Sequence, residues 1–242
     1  MSLPFEQVEF LGFDVFGTVV DWRSGVARAA EPFLARHGIA ADPVEFAKAW
    51  RALYQPAMDA VRSGARPWVR LDVLNRENLE QVLAGHGVAA ASLPEAELAD
   101  LNRAWERLDP WPDAVEGLLR LKQRFAIGPV SNGHIAGMLR LARFGGLPWD
   151  VILGAEIARN YKPRAEVYLR SAEAAGVAPG QFGMVAAHNA DLAAARALGL
   201  RTVFVRRRFE HGPGQTGDLQ PEQDWDIVAD DLVALADLLR CP

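Results

Sequence analysis

The groups able to do chemistry in this chain are few, and they follow the ends of apolar runs. In "GFDVFGTVVDW" (12–22), Asp14 closes such a run and Phe16, Gly17 and Thr18 come next, so a hydroxyl lies four residues past a carboxylate. "PVSNG" (129–133) supplies Ser131 and Asn132, "NYKPR" (160–164) supplies Lys162, and "AAHNAD" (186–191) supplies His188, Asn189 and Asp191. Taken singly, Ser131, Asn132 and Asp191 suit helix caps. Capping does not account for all of these residues falling at comparable places. Composition singles out two of them. The chain has 23 arginines and three lysines, Lys48, Lys122 and Lys162, so Lys162 marks a position where a compact ammonium is wanted. Threonine is equally scarce, at Thr18, Thr202 and Thr216.

The elements that must position these residues can be read from periodicity. Residues 8–14, 125–130, 149–153, 182–187 and 202–206 are short apolar runs bounded by turn residues, the pattern of buried strands. Helical patterns lie between them at 113–124, 134–144, 164–176 and 190–199, and "DIVADDLVALADLLR" (226–240) adds a strand and a helix. This alternation predicts an α/β fold with a parallel sheet, right-handed crossovers and helices on both faces. In such a sheet ligands bind at the carboxyl ends of the strands, where Asp14, Ser131, Lys162 and Asp191 fall.

Residues 22–109 break the alternation, carrying several amphipathic helices and no strand-like run. They predict a helical domain inserted after the first strand, with 1–21 and 110–242 forming the core. "LDPWPD" (108–113), with its two prolines, predicts the return linker.

"FDVFGTVVDW", "PVSNG", "NYKPRAEVY" and "AAHNAD" resemble, in order and spacing, the four motifs of the haloacid dehalogenase superfamily, and most closely its L-2-haloacid dehalogenase branch. The resemblance covers the whole chain, helical cap included. It implies a Rossmann-like core and an Asp14 nucleophile. Most of the superfamily are magnesium-dependent phosphatases with a second aspartate two residues after the nucleophile, where this chain has Phe16. Asp14 and Asp191 alone make a poor site for a hard octahedral cation, so no metal or other cofactor is expected. What remains is a carboxylate suited to displacement at saturated carbon, where a halide leaves without a proton.

The resemblance implies that Asp14 attacks C2 of a short 2-haloalkanoate, and that water hydrolyses the resulting aspartyl ester to a 2-hydroxy acid. Lys162 would keep Asp14 ionised, and Asp191 would hold Lys162 or orient the water. Thr18, Ser131 and Asn132 would position Asp14 or receive the substrate carboxylate, and Tyr168 matches a tyrosine of the family's site. Trp50 and Arg51, in "AWRALY", match the family's cap arginine for the halide. Phe16, Tyr54 and Trp68 are candidates for the apolar wall. Where characterised relatives read Ser-Ser-Asn, this chain reads Ala186, Ala187 and His188, followed by Asn189. His188 could orient or deprotonate the water, or it could be a structural histidine.

Two other readings follow from the same residues: a hydrolase of the same fold acting on a phosphate ester with magnesium or on a non-halogenated acid, and a binding protein that keeps the site as a scaffold. Net charge of −5 and dispersed Lys and Arg argue against a nucleic-acid face, with Arg206, Arg207 and Arg208 read as a solvated strand end. No apolar run is long enough to span a bilayer, and "MSLPFEQVEF" lacks a leader's basic and apolar regions, which predicts a cytoplasmic protein. Cys241, the single cysteine, cannot build a disulfide framework. Family members are often homodimers, and no feature of this sequence marks an interface.

Overall fold

The computed structural model describes residues 5–242, so the first four residues of the opening stretch lie outside it. Six parallel strands form one sheet: β1 (Phe10–Phe13), β2 (Ala126–Ser131), β3 (Leu153–Gly154), β4 (Phe182–Ala186), β5 (Arg201–Val205) and β6 (Ile227–Ala229). Their order is β3-β2-β1-β4-β5-β6. β1 is central, with Leu11 opposite Ile127 on one side and Gly183 on the other. It is buried along its length, as a fully apolar strand covered on both faces must be.

Helices α1 (Trp22–Arg36), α2 (Pro43–Ala52), α3 (Tyr54–Arg62), α4 (Leu71–Gly85) and α5 (Glu95–Asn102) follow β1, with no strand among them. After the return come α6 (Ala114–Leu121), α7 (Ile135–Gly145), α8 (Ala155–Ala158), α9 (Ala165–Ala174), α10 (Asn189–Ala197) and α11 (Leu232–Leu238). The first two helices start at aspartate caps. Asp21 accepts from the Ser24 N–H, and Asp42 accepts from Val44 and Glu45 with Pro43 in the first turn. The helical segment has an aromatic centre, in which Trp105 lies 5.5 Å from Trp50 and 6.3 Å from Trp22. Phe16, from the loop after β1, meets Trp105 edge-on at 5.9 Å.

One expected strand is much shorter than its apolar run. Residues 149–152 are irregular because Asp150 turns back onto β2: its N–H donates to the Ile127 carbonyl and its carboxylate accepts from the Ile127 N–H, both at 2.9 Å. Trp149 instead packs on Phe13. Pairing resumes only where Leu153 meets Val130.

The chain crosses into and out of the helical segment side by side. Val20 bridges Pro110 in antiparallel fashion, the Asp21 N–H donates to Asp109 and the Trp111 N–H donates to Val19. The Trp111 indole also donates to the Gly17 carbonyl at 2.8 Å. Asp113, just past the return, accepts two bonds from the Arg207 guanidinium at 2.7 Å each and one from the Leu232 N–H. Arg207 also donates to the Thr18 carbonyl. This corrects the reading of Arg206–Arg208 as a solvated strand end, because Arg207 is 7% exposed and ties β5 to the loop carrying Asp14.

Removing one member of a buried ion pair leaves the other charge uncompensated. Asp113→Ala is expected to lower stability by about 3 kcal/mol in urea unfolding, with much of it regained in Asp113→Ala/Arg207→Met. An unchanged unfolding midpoint for Asp113→Ala would show that the pair does not anchor the linker.

Candidate active site

Asp14 is the first residue past β1, and its N–H still follows the strand by donating to the Val185 carbonyl. Its side chain therefore emerges at the carboxyl edge of the sheet, between the loops after β2 and β4. One carboxylate oxygen, Oδ1, accepts from the Lys162 ammonium at 2.8 Å. The other, Oδ2, accepts from the Thr18 hydroxyl at 2.7 Å and faces His188 Nδ1 at 3.0 Å. Thr18 in turn accepts from the Ala187 N–H, so it bridges the β1 and β4 loops.

Lys162 reaches the site from the loop before α9, and its Nζ also lies 2.5 Å from Asp191 Oδ2. Tyr168, from α9, donates a short bond to the other Asp191 oxygen. Asn132 accepts from the Lys162 N–H at 2.8 Å. Asp14, Lys162 and Asp191 are all at least nine-tenths buried.

Burial alone would raise the Asp14 pKa, but the Lys162 charge and the His188 bond outweigh it and hold the carboxyl far below the usual range. Burial likewise works against the Lys162 cation, and Asp14 and Asp191 more than offset it, so its pKa is raised. The two carboxylates that could share a cation thus have an ammonium between them. Among the described residues no group of three or more His, Cys, Asp or Glu is arranged to hold a metal ion. This donor set does not fit a hard divalent cation.

On the far side of Asp14, His188 spans two acids. Its Nδ1 faces Asp14, and its Nε2 lies 2.9 Å from Glu210 Oε2. Glu210 also accepts from the Trp22 indole at 3.0 Å and is 1% exposed. Burial disfavours the imidazolium, but Glu210 and then Asp14 prevail and raise the His188 pKa well above its ordinary value. The Glu210 carboxyl is pushed up by burial and pulled down further by His188, ending low. Glu210 fits because Gly17, at φ +93°, has no side chain: a Cβ there would lie 2.1 Å from the Glu210 carboxylate.

These groups face a cavity of about 260 Å³ lined by Asp14, Phe16, Asn132, Lys162, His188 and Asp191 from the core and by Arg51, Tyr54 and Gln55 from the helical segment. Arg51 is boxed by aromatics, its guanidinium carbon 4.0 Å from the Tyr54 ring centre and 5.3 Å from that of Trp22. Its Nη1 is buried and has no hydrogen-bond partner. A buried cationic N–H without a partner, on a residue lining the same cavity as a carboxylate, has the chemistry to receive an anion.

Several expected site residues stand elsewhere. Trp50 is core of the helical segment and donates to the Asn75 carbonyl. Trp68 packs on Tyr161 at 4.9 Å, outside the cavity. Tyr168 touches Asp191 and does not line the cavity. Ser131 is fully buried, its hydroxyl accepting from the Gly133 N–H and so shaping the loop. Asn189 points away from its neighbour His188, accepting from the Glu222 N–H and the Trp225 indole and donating to Asp218 and Gln220. Glu210 and Gln55 were not foreseen. The only signal for Glu210 was an acid in an otherwise Arg-, Gly- and Pro-rich stretch.

A family model for haloacid dehalogenase-like hydrolases matches residues 10–199. Among solved structures, the chain is similar to a defluorinating L-2-haloacid dehalogenase at 51% identity and a TM-score of 0.95, covering 97% of this chain and 96% of that one. An (S)-2-haloacid dehalogenase of Xanthobacter autotrophicus is 28% identical over 198 residues, 81% of this chain and 74% of the relative. A phosphoglycolate phosphatase of Escherichia coli O157:H7 is 25% identical over 249 residues, 96% of this chain and 94% of the relative. The chain belongs to the haloacid dehalogenase-like hydrolase family and, by its motifs, its fold and its 51% identity to a solved member, to the L-2-haloacid dehalogenase branch.

Proposed function

We propose that this chain hydrolyses short 2-haloalkanoic acids to 2-hydroxy acids through an ester on Asp14, with residues 22–109 acting as a cap over the cavity. The observation that carries the reading is the state of Asp14: a buried carboxylate held anionic by Lys162, facing a cavity whose other wall carries Arg51, a guanidinium with one buried N–H that has no partner. Phe16 stands where a phosphatase of the family has its second acid.

In the first step an Asp14 oxygen donates an electron pair to C2, the carbon–halogen bond breaks from the opposite side, and the halide leaves with its bonding pair toward Arg51. C2 is inverted and Asp14 becomes a neutral ester. In the second step water adds to the Asp14 carbonyl carbon and gives a proton to His188. The tetrahedral adduct then collapses: its remaining hydroxyl proton passes to the departing alkyl oxygen, which leaves as the hydroxyl of the product, and the carboxylate is restored while His188 keeps the first proton.

His188 is the base by elimination of the alternatives in reach: Lys162 is held protonated, and Asp191 is occupied by Lys162 and Tyr168. Its protonation changes in the required direction. In the resting enzyme two acids favour the imidazolium. Once Asp14 is esterified only Glu210 remains, so the ring passes its proton to solvent more readily, and the neutral imidazole can then take one from the attacking water and return to its resting state. Asn132 has its amide nitrogen available to the substrate carboxylate, since its oxygen is used by Lys162. The likeness to a defluorinating relative supports including fluoroacetate in the proposed substrate class.

Halide release from L-2-chloropropionate, bromoacetate and fluoroacetate is the expected activity, abolished by Asp14→Asn, with oxygen-18 from water entering the Asp14 peptide in a single turnover. The proposal is wrong if stoichiometric enzyme releases no halide; magnesium-dependent phosphate release from p-nitrophenyl phosphate in its place would favour the phosphatase reading.

His188→Ala is expected to form the ester and stall, seen as an alkyl adduct by intact-protein mass spectrometry. Turnover without adduct would remove His188 from the water step.

The depressed Asp14 pKa means that ester formation is insensitive to acid through the range where ordinary carboxylates protonate, around pH 4. In Lys162→Met burial acts unopposed by the ammonium, so protonated Asp14 should persist to higher pH and the acid limb of single-turnover halide release should move upward. An acid limb that stays in place in Lys162→Met would show that Lys162 does not set the charge of Asp14.

A further inference from the structure

Lys162 is held by more than its salt bridges, and part of what holds it comes from the helical segment. Its N–H is accepted by Asn132 of the core, but its carbonyl accepts from Arg62 Nη1 at 2.6 Å. Arg62 is the last residue of α3, the helix that also brings Tyr54 and Gln55 to the cavity wall. The next residue, Pro163, has no N–H, so this loop has few backbone donors of its own.

Arg62 does not reach across as a loose side chain. Its Nε and Nη2 bond Asp59 Oδ1 at 3.0 and 2.6 Å, and Nη2 also bonds the Gln55 side chain at 2.9 Å. Asp59 and Gln55 both belong to α3, so the helix holds its own guanidinium pointing at the Lys162 carbonyl. The side chain is 12% exposed. Two flanking bonds run between the same parts: the Tyr161 hydroxyl donates to the Val69 carbonyl at 2.7 Å, and Arg164 Nη2 donates to the Arg62 carbonyl at 2.7 Å. Residues 161, 162 and 164 are thus each tied to the helical segment.

We propose that Arg62 is a positioning residue that couples closure of the helical segment over the cavity to the placement of the Lys162 ammonium between Asp14 and Asp191. The inference rests on the dehalogenase reading of the site. The chain of contacts is short and continuous: Gln55 on the cavity wall, Arg62, the Lys162 carbonyl, the Lys162 ammonium, Asp14. With the segment seated, the Lys162 backbone is fixed at both its N–H and its carbonyl, and the ammonium has one position. With the segment displaced, the carbonyl loses its donor and the side chain is aimed less well. The nucleophile is then fully set only when the cavity is closed around a substrate, which keeps the reactive carboxylate from meeting solvent with its cation in place.

Single-turnover ester formation and halide release are compared for wild type, Arg62→Met and Arg62→Lys, with Arg164→Met as a cap contact that does not touch the Lys162 carbonyl. Arg62→Met is expected to slow the chemical step on the order of ten- to a hundredfold, the scale of a catalytic group misplaced by about 1 Å. KM should change little, and Arg62→Lys or millimolar ethylguanidinium should restore part of the rate. Combined with Lys162→Met, Arg62→Met should cost nothing further, since it acts through that residue. A rate loss that tracks lower thermal stability, adds to Lys162→Met and resists both rescues would overturn the proposal, as would an unchanged rate. Hydrogen exchange of the resting proteins gives an arm independent of turnover: amides of residues 160–164 should exchange faster in Arg62→Met than in wild type, while β1 is unaffected. If wild type releases no halide, the dehalogenase reading fails and exchange still decides the clasp; unchanged exchange with a normal wild-type rate refutes the clasp alone.

Discussion

The site depends on one buried ammonium. Moving a carboxylate such as Asp14 out of water strips the solvation that damps its reactivity and at the same time favours its protonation, because a low-dielectric surrounding penalises the anion. Lys162, 2.8 Å away, resolves the conflict by stabilising the charge without covering both oxygens. The ammonium is itself costly to bury, and a single acid would leave a neutral, tightly matched pair. Asp191 adds a second negative charge on its other side, and Tyr168 satisfies the oxygen of Asp191 that Lys162 does not reach. Buried ion groups contribute little net stability, and here the group fixes Asp14 and Asp191 on either side of one ammonium. The surrounding elements are arranged accordingly: Asn132 fixes the Lys162 N–H, Thr18 fixes Asp14, and the Thr18 carbonyl is fixed by Arg207.

Distant parts of the chain converge on the loop after β1 for the same reason. Trp111 from the return linker bonds the Gly17 carbonyl, Arg207 from beyond β5 bonds Thr18, and Glu210 occupies the space left by the missing side chain of Gly17. Asn189 contributes from outside the cavity by bonding the segment 218–225 from both faces of its amide. The stretch between β5 and β6 is therefore structural support for His188 and Glu210, although its composition is that of a surface loop. Phe16 serves both sides, lining the cavity and meeting Trp105 of the helical segment edge-on.

The sheet and the core of the site were legible because both are local in sequence. A strand end, the polar residue after it and the following helix occupy about ten residues, so periodicity places Asp14, Ser131, Lys162 and His188 near one edge without any long-range information. What periodicity cannot give is which way a side chain turns within a loop. Asn189 and His188 are neighbours, yet one faces the acids of the site and the other the 218–225 segment. Trp50 and Trp68 show the same limit on helices, where an aromatic can serve the segment's own core as readily as a cavity. Glu210 could not be assigned to the site on the one signal it gives: it is almost 200 residues from Asp14 and lies in a loop whose pairing depends on tertiary packing. The short β3 failed for a nearer reason, since a single aspartate capturing the backbone of β2 outweighed an apolar run.

Under the proposed reaction the same carboxylate imposes opposite demands in its two steps, and the two sides of Asp14 divide them. Displacement of halide asks only for a charged oxygen and needs no proton, so the Lys162 side maintains the anion and Phe16 stands where an acid would have no task. Hydrolysis asks for a proton acceptor close to the ester carbonyl, and no group on the Lys162 side can serve, because every acid there is engaged by the ammonium or by Tyr168. His188 lies on the other oxygen, with Glu210 behind it to keep the ring oriented. Its affinity for a proton is set partly by the very charge that the first step removes. A base that is protonated beside the free nucleophile and released by formation of the ester is kept from acting early by electrostatics alone, with no movement of the backbone required.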